Sequence, residues 1–506
     1  MYSDLVGEMR CRYKLAPSHV DQLREEKSDG LVSVSVNGAA LQQYSAIDHE
    51  RVSTGYAGGT PVYARWVPNS DALCLAVANH TSHIVSYQDP VVDTLQVWRY
   101  VAGRLSLEYV VKCGEEVRDM LVFPLRQRGE ISFTAAIASS SHVNILTLPL
   151  ERPGEGLVYS VPETTTQLRT GSSADTSCRI AKLEWCLFDD KLSLLAGLSN
   201  GYVVRWRLDT PHPSLPDPSL PVQRLLTHPG HPVTCLAVCP QLQNYFCSSS
   251  ADSRYKFWDL KRPGRALLVR HKPPKQITLP VHLHWCWFWN KVIMFSGMSG
   301  KTQRYPNKHV YCLPTEFLRE AQVSSVGRMD QHDIVPACAA HLHARTCAFS
   351  DQYSCLATGY ECGTTLLVTV CDLRTKDSKV KYRAVADHCF LSCKARAKEQ
   401  VDTNKHLSND QDFINHYDFV VSDGVSSSPN EGADKQMSGD NQGVGGNKPR
   451  EGDKQNTSNH TSKRLSAVVS LEWSKFDSDK KLLFVGYMSG IFQVLKPPEK
   501  VLISKN

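Results

Sequence analysis

Apolar residues along this chain come in short runs of four to seven, set off by Gly, Asn, Asp and Ser, with no helical period between them. That pattern predicts strands joined by tight turns. The clearest unit opens at Gly230-His231 and continues through Val233-Thr234-Cys235-Leu236-Ala237-Val238 and Tyr245-Phe246-Cys247-Ser248-Ser249-Ser250. A turn at Ala251-Asp252-Ser253 then leads into Tyr255-Lys256-Phe257-Trp258-Asp259. Similar triples begin at Ile180, Thr346 and Val468, and the spacing Gly-x-x-x-Gly recurs in them at Gly197/Gly201, Gly359/Gly363 and Gly486/Gly490. Both glycines of each pair are expected in hairpin turns that need positive φ. Looser triples begin at Val62, Val117 and Val281, which makes seven units anchored at Trp66, Phe123, Trp185, Val238, Trp285, Phe349 and Trp473.

A unit that opens on Gly-His and closes on Trp-Asp is a WD repeat, and no single unit of this kind can bury its apolar faces alone. The fold expected is all-β, a seven-bladed WD40-type propeller. Asp252 stands six residues before Trp258, in the turn between the second and third strands. From there it is expected to accept a hydrogen bond from His231 while Trp258 fills the gap between blades, a structural network of His231, Asp252 and Trp258. The propeller is expected over 31–495, after an N-terminal segment 1–30 and before a tail 496–506. A helix is expected around His19 to Glu26. Leu31-Val32-Ser33-Val34-Ser35-Val36 is the first choice for the outer strand that completes the last blade, with Val501-Leu502-Ile503 as its competitor. An insertion at about 400–464 precedes the last blade. Its stretch 422–463 is almost empty of apolar residues and is expected to be disordered.

The 506 residues carry a net charge of +6, with 41% hydrophobic and 21% charged positions. That balance is globular and only mildly basic, so charge alone does not demand a polyanionic partner. Neither a signal peptide nor an apolar run long enough to span a membrane is visible, which points to the cytosol or nucleus. The 17 cysteines are then expected to be reduced and mostly packed as small apolar groups, and the sequons at Asn79, Asn456 and Asn459 to carry no glycan.

No phosphate-binding glycine loop, nucleophile elbow or His-Glu-x-x-His pattern occurs, so no catalytic residue, cofactor, metal or small-molecule substrate is expected. His388-Cys389 with Cys393, and the group His332, His341 and His343, lack the paired spacing of zinc ligands. The alternating tryptophans of Trp285-Cys286-Trp287-Phe288-Trp289 read as packing between blades before a partner surface. Two basic stretches stand out. Lys261, Arg262, Arg265, Arg270, Lys272 and Lys275 form the first, with no acidic residue among them; the second runs from Arg374 to Lys398. Ordinary solvated charge is their default reading, and contact with DNA phosphates or a partner the sharper one.

Several segments are similar to the second-largest, WD-repeat subunit of transcription factor IIIC. Pro61-Val62-Tyr63-Ala64-Arg65-Trp66, Leu75-Ala76-Val77-Ala78-Asn79-His80 and Leu95-Gln96-Val97-Trp98 resemble its opening blade. Leu183-Glu184-Trp185, with Gly201-Tyr202-Val203-Val204-Arg205-Trp206, resembles its third. Phe257-Trp258-Asp259-Leu260-Lys261-Arg262-Pro263 and Gly486-Tyr487-Met488-Ser489-Gly490 resemble two later stretches. The likeness covers about 55–495. It implies a non-catalytic nuclear scaffold that supports recognition of transfer-RNA gene promoters and recruitment of RNA polymerase III. Such a subunit docks other members of a multiprotein complex, a second propeller subunit among them, and touches DNA only at backbone phosphates. The competing expectation is a WD adaptor of another assembly, such as a cullin ubiquitin ligase. Its Trp-Asp-x-Arg signature is met only in part, at Trp258-Asp259-Leu260-Lys261 and Cys371-Asp372-Leu373-Arg374.

Overall fold

Runs such as Ala72–Ala78 and Cys355–Tyr360 bury every one of their residues, as strands covered on both faces do. In a computed structural model the described residues are 24–26, 32–35, 45–48, 52–68, 70–78, 94–113, 115–126, 131–154, 158–161, 166–171, 178–189, 191–208, 219–240, 242, 244–252, 254–271, 280–285, 291–296, 310–314, 326–328, 334–335, 344–350, 353, 355–360, 363–369, 385–397, 417–423, 467–474, 481–488 and 490–497. Their regular elements are all β-strands, grouped into seven sheets whose pairings are almost all antiparallel.

Each sheet starts from one of the expected units. The innermost strands are Thr60–Trp66, Asp119–Arg126, Ile180–Phe188, Val233–Val238, Pro280–Trp285, Ala344–Ser350 and Val468–Trp473. Each pairs outward with the next strand in the chain. Neighbouring inner strands touch in succession, and the seventh touches the first. Except in the second sheet, each inner strand shifts register within two residues of its start, as between Val233 and Cys235 or Val468 and Ser470. Such a bulge twists the strand and re-aims its side chains.

The core lies between sheets. One cluster joins Leu121, Ala136 and Val143 of the second sheet to Ile180, Leu194 and Trp206 of the third. Another joins Leu195, Val203 and Leu225 of the third to Leu236, Phe246 and Trp258 of the fourth. A third sets Phe484, Phe492 and Val494 of the seventh against Trp66, Leu73 and Trp98 of the first. Close approach is what the first glycine of each Gly-x-x-x-Gly pair permits. A Cβ on Gly197 would lie 2.6 Å from Val233, and one on Gly359 would lie 2.4 Å from Val468. Only the second glycines, Gly201, Gly363 and Gly490, take the positive φ expected of both.

The seventh sheet is completed from the N-terminal side by Val52–Tyr56, which pairs antiparallel with Ile491–Leu495 and carries Ser45–Asp48 on its outer edge. The expected closing stretch 31–36 goes elsewhere. Val32–Ser35 pairs with Val158–Ser160 at the edge of the first sheet, and Arg24–Glu26 extends that edge as a strand where a helix was expected. The segment that reaches the last strand is therefore the one immediately before the first inner strand, the shortest connection possible. Val501-Leu502-Ile503 lies outside the described residues. Within the expected insertion, Tyr417–Asp423 forms a strand against Val385–Ala397 in the sixth sheet. The other residues of 400–464 lie outside the described ones.

Candidate functional site

The turn at Gly201 organises the polar network between the third and fourth sheets. The backbone N–H groups of Thr227 and His228 both donate to the Gly201 carbonyl, at 3.0 and 2.9 Å. Gly201 takes φ +88°, and a Cβ there would lie 1.8 Å from the His228 carbonyl oxygen, so only glycine fits. His228 is thereby seated over the fourth sheet. Its Nδ1 lies 2.9 Å from Asp252 Oδ2 and its Nε2 2.9 Å from Ser248 Oγ. The Trp258 indole N–H donates to the same Ser248 oxygen at 3.0 Å. A neutral His228 with its proton on Nδ1 satisfies the chain from Asp252 to Trp258.

Burial holds His228 below the usual histidine range, and this outweighs the opposite pull of Asp252. Burial alone would raise the Asp252 carboxyl, but hydrogen bonds from His228 and the Arg254 backbone bring it below its ordinary value. Asp252 and Trp258 belong to one network, joined through His228 and Ser248, and His231 is not part of it. His231 is exposed, turned outward after Gly230 at φ +72°, and His228 stands in its place. Ser248, the bridging atom, was also missed. The dipeptide Gly-His drew attention to the wrong one of two histidines three residues apart.

A second polar group gathers where the inner strands face one another. Asp119 is fully buried, accepting from the Leu183 backbone N–H at 2.7 Å and pairing with the Lys182 ammonium at 3.0 Å. Arg65 lies 3.8 Å from Asp119 and 3.4 Å from Glu472. Burial works against the Arg65 charge, but Glu472 and Asp119 more than restore it. His282, its Nε2 3.4 Å from Thr346 Oγ1, is pushed down to about 3 by burial and by the nearby Lys182 and Arg65 cations. These carboxylates are matched by cations from neighbouring sheets, which is the arrangement of a structural tie. The pairing is not legible in the sequence, because the partners lie in different repeats. Among the described residues no cluster has the ligands for a metal.

The candidate surface is a cleft of about 680 Å³ between the outer strands of the third and fourth sheets. Arg224 and Leu226 come from the edge strand Gln223–Leu226, and Lys256 and Trp258 from the strand opposite. Pro263, Gly264 and Arg265, in the turn that follows, close one end. Arg224 also lies over the Tyr202 ring, with its guanidinium carbon 5.2 Å from the centroid. Of the basic residues singled out in the sequence, Arg265 lines this cleft and is exposed. Arg262 is exposed beside it, and Lys261 pairs with Asp189 at 3.2 Å. Arg270 stands opposite Tyr255 in the adjoining strand. Lys272 and Lys275 lie outside the described residues, as does most of the stretch 374–398 beyond its strand. Trp285 is buried edge-to-face against Phe257 of the fourth sheet, with centroids 5.7 Å apart, and so packs between sheets. Trp287 and Trp289 lie outside the described residues.

No family model matches this sequence, and no curated protein matches it. Among solved structures, the chain is similar to the crystal structure of Chaetomium thermophilum Raptor, with a TM-score of 0.49 and 9% identity. The match covers 90% of this chain but only 29% of that one. A chain of the mitotic checkpoint complex crystal structure matches with a TM-score of 0.37 and 13% identity, over 62% of this chain and 82% of that one.

Proposed function

We propose that the seven sheets are the blades of one closed WD40-type propeller, and that it serves as a non-catalytic scaffold in a nuclear multiprotein complex. Closure is supported by the unbroken succession of inner-strand contacts and by the pairing of Val52–Tyr56 with Ile491–Leu495. The scaffold role rests on one observation above all: the charged groups at the axis are paired with each other across sheets. Asp119 is bound by Lys182, Leu183 and Arg65, and Arg65 also by Glu472. A carboxylate committed in this way ties sheets together and is not poised to move protons.

The complex we propose is transcription factor IIIC, with this chain as its WD-repeat subunit in support of transfer-RNA promoter recognition and polymerase III recruitment. This rests on the order of blade-like segments from Pro61 to Gly490. The exposed Arg262 and Arg265 would at most touch DNA backbone phosphates. Tagging the full chain in nuclei and identifying what co-purifies tests the assignment. Other subunits of that factor, released by salt together with transfer-RNA genes, are the expected result. Recovery of cullin ubiquitin-ligase components in their place overturns it.

A further inference from the structure

We infer that the cleft between the third and fourth sheets binds an extended acidic segment of a protein partner, with aliphatic side chains alternating with carboxylates. The inference rests on the scaffold reading above and names the chemistry of one docking partner. Three cations line the cleft, Arg224, Lys256 and Arg265, and no acidic residue does. Lys256 carries the argument furthest. Its side chain is largely buried, and its ammonium donates to the Thr227 carbonyl, a neutral acceptor. An ammonium has three protons to place, and the neutral Thr227 carbonyl takes one of them. Burial accordingly lowers its pKa, with Asp252 only partly opposing. A carboxylate entering the cleft would meet Lys256 at its inner end and the exposed Arg265 at its rim.

Apart from Thr227, the remaining side chains of the wall are apolar, among them Leu226, Pro229, Ala266, Leu267 and Val269. Leu226 is 47% exposed there, although it belongs to a strand. Side chains alternate along a strand, so a peptide laid along Gln223–Leu226 would present carboxylates and aliphatic groups in turn. The volume of about 680 Å³ suits such a short segment. Duplex DNA does not fit between two sheet edges and would reach only the rim.

The test uses the full chain and three fluorescent probes: a short alternating glutamate–leucine peptide, its lysine–leucine counterpart and a DNA duplex. Anisotropy is expected to show binding of the acidic peptide alone, weakened about tenfold by the exposed substitution Arg265→Glu. Lys256→Met, of similar length, is expected to weaken it as well. Should Lys256→Met impair folding, Arg265→Glu decides alone. Acidic-peptide binding that ignores Arg265→Glu, equal binding of the lysine peptide, or displacement of the peptide by duplex DNA each overturns the inference. Co-purification with the wild-type chain separates the two levels. If partners are recovered but the acidic peptide fails to bind, the cleft inference falls and the scaffold reading stands; if no partner is recovered, the scaffold reading falls.

Discussion

The fourth and first sheets each tie an indole N–H into the interior, and they do it with different chemistry. In the fourth sheet, Trp258 donates to Ser248, which is held by His228 and through it by Asp252. In the first, Trp98 donates to Gln96 Oε1 at 2.9 Å, and the Gln96 amide donates to the Ala57 carbonyl at 2.6 Å. The ring of Trp98 then packs edge-to-face on Phe492 of the seventh sheet, with centroids 4.9 Å apart. One junction depends on groups that titrate; the other uses an amide that does not. The geometric need is the same, an indole satisfied where two sheets meet.

The comparison breaks first at the closing strand. Gly55 faces the Phe492 ring so closely that a Cβ would lie 2.2 Å from it. Gly55→Leu should push Phe492 off Trp98 and cost about 3 kcal/mol or more, read as a lowered denaturant midpoint and early proteolysis near the termini. Acid should separate the junctions next. His228 and His282 are both held below their unfolded value near 6.5, so the unfolded chain binds protons first. Their contribution is present above pH 6.5 and is lost as pH falls toward their folded values. Asp252, also depressed, adds a loss of the same sign below about pH 4. Stability should therefore drop from pH 7 to 5, by at most about 1.4 kcal/mol per pH unit for each histidine, less where solvent screens it. Equilibrium unfolding across pH checks this, and His282→Gln should flatten the slope.

Asp252→Ala should cost about 2 kcal/mol at pH 7, because it strands a buried histidine donor, and should steepen the loss toward acid, because the carboxylate no longer offsets the burial of His228. Gln96→Leu is expected to cost about 1 kcal/mol while leaving the pH slope unchanged. Equal slopes in these two variants would remove the distinction drawn between the junctions. Smallest of all, Lys261→Ala breaks only an exposed pair with Asp189 and should shift stability by less than about 0.5 kcal/mol.

Much of the architecture was legible because strands write their burial as local runs. Leu194-Leu195-Ala196-Gly197 and Leu483-Phe484-Val485-Gly486 are strands buried in the core, as their composition says. The Asp252 turn and Trp258 were readable for the same reason, since both belong to one hairpin. His228 was not, because it sits in the connection between two sheets and its place depends on the Gly201 turn of the preceding unit. The Lys256 cleft is not legible in the sequence, because its walls come from two sheets and its cations Arg224, Lys256 and Arg265 do not form one run.

What the order of residues determined by itself is the repeat: where strands begin and end, which turns need glycine, and which runs lie inside. What only the tertiary structure decided is every pairing between units. Val52–Tyr56 and not 31–36 meets the last strand, Arg65 reaches both Asp119 and Glu472, and the first glycine of each pair admits its neighbour. The physical reason is range: strand and turn preferences act between adjacent residues, whereas close packing and ion pairing depend on distances that exist only once sheets are side by side.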